Sequence, residues 1–148
     1  MELSDLYSEK ILEIAGNIPV RPRLERPHGT ARRTSRTCGS VIEVDVEVRD
    51  GVITAFGQDV SACALGQTSA AVVAANIVGT PVAEFRRVRA EMFRMLTDKG
   101  PPPQALRWAD LRFLEPVREY RARHASTMLV FDAVVAALDE VETDPRMR

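Results

Sequence analysis

The sequence predicts an α+β fold: a small antiparallel sheet of three strands packed on one face against several helices. Three observations carry this expectation. Residues 41–49 alternate apolar and charged side chains, which is the pattern of a half-buried strand. Asp50-Gly51 follows at once, the pair that suits a two-residue hairpin turn because both central positions need positive φ. Beyond residue 63 the apolar spacing changes from two to three or four and does not return, so helices follow the sheet. The 148 residues suit one domain, 1–148, and a hydrophobic fraction of 45% is enough for an ordinary core. Lys+Arg 20 against Asp+Glu 21 argues against a dedicated nucleic-acid or membrane-surface binder. No apolar run reaches the roughly 20 residues that span a bilayer, and the acidic start Met1-Glu2-Leu3-Ser4-Asp5 lacks the pattern of a signal peptide. A cytoplasmic protein is the expectation. Two cysteines are too few for a disulfide framework.

Each element is justified in turn. Leu3, Tyr7, Ile11 and Ile14 predict an amphipathic helix over 3–15, capped by Ser4 and Asp5 and stopped by Gly16-Asn17. Pro19, Pro22 and Pro27 make residues 17–29 an extended connection. Thr30–Thr37 reads as an edge strand. Ile42, Val44, Val46 and Val48 mark the central strand, and the return strand runs from Val52 to about Asp59. Residues 64–78, rich in Ala, Ser and Val, predict a tightly packed helix that starts near Cys63 and is closed by Gly79-Thr80-Pro81. A second helix over 82–97 turns Phe85, Val88, Met92, Met95 and Leu96 inward. Gly100-Pro101-Pro102-Pro103 begins a loop, Ala109–Leu114 reads as a short helix, and a last helix spans Ser126–Val141 with Met128, Phe131, Val134, Val135, Leu138 and Val141 inward. From Glu142 onward a frayed tail is expected.

Two thiols carry the chemistry. Cys38 precedes Gly39 at the entry to the central strand, and Cys63 follows the return strand and opens a helix. A hairpin sets the start of its first strand beside the end of its second, so both thiols are expected at one end of the sheet. A helix N-terminus favours thiolate; the alternative is that both are small buried apolar residues. Arg21, Arg23, Arg26, Arg32, Arg33 and Arg36 form a basic stretch, read either as a solvated face or as a docking surface for an acidic partner. His28, in the Pro-rich connection, is expected to face solvent.

These residues resemble a known family, the U-type iron–sulfur cluster assembly scaffolds: IscU, SufU and the N-terminal domain of NifU. The likeness rests on Cys38-Gly39 before an alternating strand and on Cys63 followed by Ala64-Leu65-Gly66-Gln67-Thr68-Ser69-Ala70-Ala71. It extends to Leu114-Glu115-Pro116-Val117-Arg118-Glu119-Tyr120 with Ala122-Arg123, and to the opening Tyr7-Ser8-Glu9-Lys10-Ile11-Leu12. Residues 97–113 are similar to the insertion of the SufU branch. The resemblance implies a scaffold that holds a transient iron–sulfur cluster, or zinc, through three Cys and one Asp. It also implies partners: a cysteine desulfurase that supplies sulfane sulfur and proteins that accept the cluster.

Two of the four implied ligands differ. Ser40 stands where the family has Asp, and Ser126 stands where it has the third Cys. A neutral hydroxyl is a poor ligand for iron or zinc. His124, two residues before Ser126, is the candidate third metal ligand beside Cys38 and Cys63; otherwise it is a capping or surface histidine. Arg123 matches the family's Arg near the third Cys, where it would favour thiolate or make a surface ion pair. Asp59 is the nearest substitute carboxylate, or a strand-end surface residue. The function these residues imply is assembly of iron and sulfide on a scaffold, a carrier rather than a catalyst. The alternatives are a zinc-dependent sulfur-transfer partner of the desulfurase, a sulfurtransferase if it is an enzyme, and an adaptor that binds no metal.

Overall fold

The computed structural model describes residues 6–36 and 38–144. Helix α1 spans Glu9–Ala15, shorter than the expected 3–15. Its N-cap is Ser8, whose hydroxyl accepts the Ile11 N–H at 3.2 Å, so the capping residue lies in the middle of the predicted helix. Leu3, Ser4 and Asp5 lie outside the described residues, as does Thr37 of the expected edge strand. Gly16 ends α1 as expected.

Three strands form one antiparallel sheet in the order β1 (Gly29–Thr34), β2 (Val41–Arg49) and β3 (Val52–Ser61). Asp50 and Gly51 adopt φ of 51° and 76°, the turn their sequence predicts. The register pairs Arg49 with Val52 at the turn and Val41 with Ser61 at the far end. Between them the pairing slips by one residue: Glu47 faces Ala55 and Val48 faces Ile53, which leaves Thr54 as a bulge. That extra residue explains why Ile53 and Phe56, three apart, are both buried. His28 meets the sheet here, and its Nδ1 accepts the Val48 N–H at 3.0 Å. It is half-buried and bonded rather than solvent-facing.

Helices α2 (Ala64–Asn76), α3 (Val82–Thr97) and α4 (His124–Thr143) follow. Helix α4 packs against β1, β2, α2 and α3 together, and so is apolar almost all round. It begins two residues before the expected Ser126 and continues through Glu142, where a tail was expected. Between α3 and α4 the chain runs in 3₁₀ turns over Leu106–Glu119, broken at Trp108, instead of forming a short α-helix. Trp108 is fully buried, edge-on to Phe85 with ring centroids 5.6 Å apart, and its indole N–H donates to Glu84 at 3.1 Å.

The opposite face of the sheet is covered by the Pro-rich connection. A Cβ on Gly57 would collide with the Pro22 carbonyl, so only glycine admits that close approach. Asp45 therefore lies buried although the alternation places it outward, and Arg23 holds it through bonds of 2.6 and 2.9 Å. The basic stretch is accordingly split. Arg23 pairs with Asp45 and Glu43, and Arg21 donates to the Ala74 carbonyl at 3.0 Å, while Arg26, Arg32, Arg33 and Arg36 are exposed. No helix among the described residues is long and apolar enough to cross a membrane.

Candidate functional site

Ser35, Arg36, Cys38, Gly39 and Ser40 lie in the connection from β1 to β2. The Ser35 N–H donates to the Ser40 carbonyl and the Gly39 N–H to the Ser35 carbonyl, both at 2.8 Å. Closing so short a loop takes one residue into the left-handed region, and Gly39 does so at φ +72°. Cys38 is left exposed on the loop, while Ser35 and Ser40 fold inward and are 4% and 3% exposed. The Cys38 Sγ lies 2.9 Å from the Ser40 Oγ.

Cys63 occupies the N-cap of α2, half-buried against the core, and its carbonyl accepts the Gln67 N–H at 2.8 Å. Because Val41 pairs with Ser61, the chain on either side of that pair carries Cys38 and Cys63 at the same end of the sheet. The first turn of α2 also meets the start of α4. A Cβ on Gly66 would stand 3.2 Å from the Ser126 carbonyl, so the missing side chain lets the two helix starts approach. Ser126 is 2% exposed, its hydroxyl donates to the Arg123 carbonyl at 3.2 Å, and it stands near enough to Cys38 to favour the thiolate.

One serine hydroxyl, that of Ser40, thus lies within bonding distance of the sulfur, and Ser35 and Ser126 stand near it. The polar surroundings supplied by Ser35, Ser40 and its N–H, and Ser126 outweigh partial burial and push the Cys38 thiol down to about 7 from an ordinary value of 9.0. The Ser35 hydroxyl is buried and makes no hydrogen bond of its own within bonding distance. Sequence reasoning passed over Ser35. The available signal was a second serine five residues from Ser40 across a Cys-Gly turn.

The other candidates lie elsewhere. The His124 Nε2 stands 3.1 and 3.2 Å from the carbonyls of Val117 and Arg118, so it donates to them, and the ring borders a cavity of about 150 Å³ with Arg89, Phe93 and Met128. Asp59 is exposed on β3, paired across the sheet with Glu43. Arg123 precedes α4 and offers its carbonyl to Ser126 and to Thr127, the latter at 2.8 Å. The structure brings Cys38, Ser40 and Ser126 together with Cys63 nearby. It does not bring His124 or Asp59 into a donor set with them: among the described residues no three His, Cys, Asp or Glu side chains are grouped to hold a metal. Two thiols and three neutral hydroxyls do not fit a resident tetrahedral zinc, which takes three or four thiolate, imidazole or carboxylate ligands from the protein.

No protein-family model matches the chain. A NifU-like protein (N-terminal) from Brucella abortus, known from its crystal structure, is 46% identical, with 95% of this chain and 96% of that one aligned at a TM-score of 0.91. IscU from Thermotoga maritima, an iron–sulfur cluster assembly scaffold protein, is 24% identical over 136 residues, 92% of this chain and 94% of that protein. A protein from Fervidobacterium islandicum AW-1, described as an iron–sulfur cluster assembly scaffold for the SUF system, shares the fold at a TM-score of 0.82 and 18% identity, over 93% of this chain and 99% of that one. With nearly half its residues shared with one relative over almost its full length, and the sheet, helices and two cysteines placed as the resemblance implies, the chain belongs to the NifU-like, IscU and SufU family.

Proposed function

We propose that this protein is an iron–sulfur cluster assembly scaffold whose cargo rests on Cys38, with Cys63 beside it. The observation that carries the reading is the Cys38 loop: an exposed sulfur bonded to the Ser40 hydroxyl, at the end of the sheet where α2 begins with the second thiol. Iron and sulfide are substrates here, held briefly, because two thiolates leave coordination positions for sulfide or for an acceptor's own ligands. Sulfur would come from a cysteine desulfurase. The Cys38 thiolate attacks the terminal sulfur of the donor persulfide; an S–S bond forms at Cys38 as the donor's breaks, and the donor departs as thiolate. A cytoplasmic setting suits two unpaired cysteines.

Anaerobic reconstitution with ferrous iron and sulfide tests the reading. The expected result is visible charge-transfer absorption, lost in Cys38→Ala and readily stripped by a chelator. Reconstituted protein with no such absorption overturns it. Capture of a desulfurase that survives replacement of both cysteines, together with a colourless protein, would select the adaptor function instead.

A further inference from the structure

The sheet has two outer edges, and the chain itself covers the one on β3. There the Gln58 N–H donates to the Arg21 carbonyl at 2.9 Å, the Ile53 N–H donates to the Thr80 carbonyl at 2.9 Å, and the Ile53 carbonyl accepts the Gly79 N–H at 2.8 Å. On the other side, among the described residues, β1 has no strand neighbour except β2. Register shows which of its backbone groups face away. The Ser35 N–H donates to the Ser40 carbonyl, so alternate residues back to Gly29 bond to β2, while Thr30, Arg32 and Thr34 turn their N–H and carbonyl groups outward. All three residues are exposed.

Charge decides what such an edge accepts. Arg32 and Arg33 lie on the strand, and Arg26 and Arg36 flank it; all four are exposed. Glu43, the carboxylate opposite Arg32, is held instead by Arg23 at 2.8 Å. A row of like charges on an open edge repels a second copy of the same edge. It attracts a strand that carries carboxylates. The outward carbonyl of Arg32 is meanwhile occupied by its neighbour, since the Arg33 Nη1 donates to it at 2.9 Å. That bond lies in solvent and exchanges at little cost. An incoming N–H would take the carbonyl and release the guanidinium to a carboxylate.

We infer that the β1 edge is a docking site for an extended acidic segment of another protein, which adds as a fourth strand beside Thr30, Arg32 and Thr34. Backbone bonds align the segment and the arginines select its sequence. Arg32 and Arg33, successive on the strand, lie on opposite faces, so a matching segment carries carboxylates on both of its own. Nucleic acid is the poorer match, because Gly29–Thr34 holds no aromatic side chain on which a base could stack. The inference concerns this surface alone and does not depend on what Cys38 holds.

The test uses the full chain and a fluorescein-labelled peptide made of Glu and Thr, about seven residues long to match one strand. Expected are saturable binding by fluorescence anisotropy, weakening as salt rises, and slower amide hydrogen exchange by NMR at Thr30, Arg32 and Thr34. Two controls separate strand addition from charge attraction alone. The same peptide with alternate backbone nitrogens methylated keeps its carboxylates but cannot complete the ladder, and should bind about tenfold more weakly. Arg32→Glu with Arg33→Glu should weaken binding by about tenfold or more. Both side chains are exposed, so thermal unfolding of that variant should match the parent; if it does not, Arg32→Gln with Arg33→Gln takes its place. A parent that does not bind the peptide overturns the inference, as do equal affinity for the methylated peptide and unchanged exchange at the three amides. Tighter binding of a single-stranded oligonucleotide than of the peptide would assign the edge to nucleic acid and overturn it too.

Discussion

At the scale of single residues, the chemistry of Cys38 is set by neighbours rather than by burial. The thiolate is the reactive form, so alkylation should rise with pH and reach half its maximum near the thiol value of about 7. Removing a hydroxyl in Ser40→Ala raises that midpoint toward the ordinary thiol value. At neutral pH the rate should fall roughly fivefold, the change in thiolate fraction when a thiol near 7 moves up by about one. Iodoacetamide kinetics across pH, followed by mass at Cys38, make the measurement; a midpoint near 9 in the parent protein would contradict the geometry. Asp45 makes a parallel case on the other face of the sheet. Burial alone would raise its carboxyl, but Arg23, Thr30 and the Leu24 N–H hold it below the usual carboxylate range. A carboxyl depressed in the folded state adds stability that is present above its unfolded value and lost as pH falls through the lower folded one. Arg23→Ala should therefore cost about 3 kcal/mol near neutrality, since it leaves a buried carboxylate without its cation. The difference between parent and variant should shrink as pH falls through the range in which Asp45 takes its proton, as read by denaturant titration at several pH values.

At the scale of elements, β1 and α4 touch through a glycine. A Cβ on Gly29 would run into the Ala137 carbonyl and stand 2.8 Å from the Val141 Cγ2, and backbone cannot step aside as a flexible side chain can. Gly29→Ala should cost about 3 kcal/mol in denaturant unfolding, while Gly51→Ala, with open space around it, meets only the strain of its positive φ. The sequence is legible where one element buries one face. On α3 every residue expected inward, Phe85, Val88, Met92, Met95 and Leu96, is buried, and the Asp50-Gly51 turn forms as written. It is less legible where several elements share a surface. Helix α4 is enclosed by four neighbours, so no polar face marks its ends; Thr54 bulges without any local signal; Asp45 is buried by a segment some 20 residues away in sequence. At the site, order and placement in the sequence pointed to Cys38 and Cys63 at one end of the sheet, where the hairpin register puts them. Ser35 became visible only once the loop closed, and the direction of His124 is fixed by carbonyls of the 3₁₀ segment that periodicity does not describe.

At the scale of the molecule, the fold brings a β1–β2 loop, the start of α2 and the start of α4 to one end of the sheet. The side chains there at positions 40 and 126 are neutral hydroxyls rather than metal-binding donors. Small residues keep that end accessible, since Gly66 lets the helix starts close up and nothing lies within 4 Å of where a Gly39 side chain would begin. The scaffold should then regain metal when the donors are returned. Ser40→Asp with Ser126→Cys would add a carboxylate and a third thiolate to Cys38 and Cys63, a set that matches tetrahedral zinc. Both replacements stand at buried positions, and Ser40 already contacts the Cys38 sulfur. After purification and a mild chelator wash, the double variant should retain about one zinc per chain, as a closed tetrahedral site does, while the parent retains little. Binding should also lower the reactivity of Cys38 toward alkylation, because a metal-bound thiolate is a weaker nucleophile than a free one. Equal zinc in parent and variant would mean that the parent already has a donor set beyond its two cysteines. No zinc in a variant that unfolds like the parent would mean that the three segments do not converge on one point.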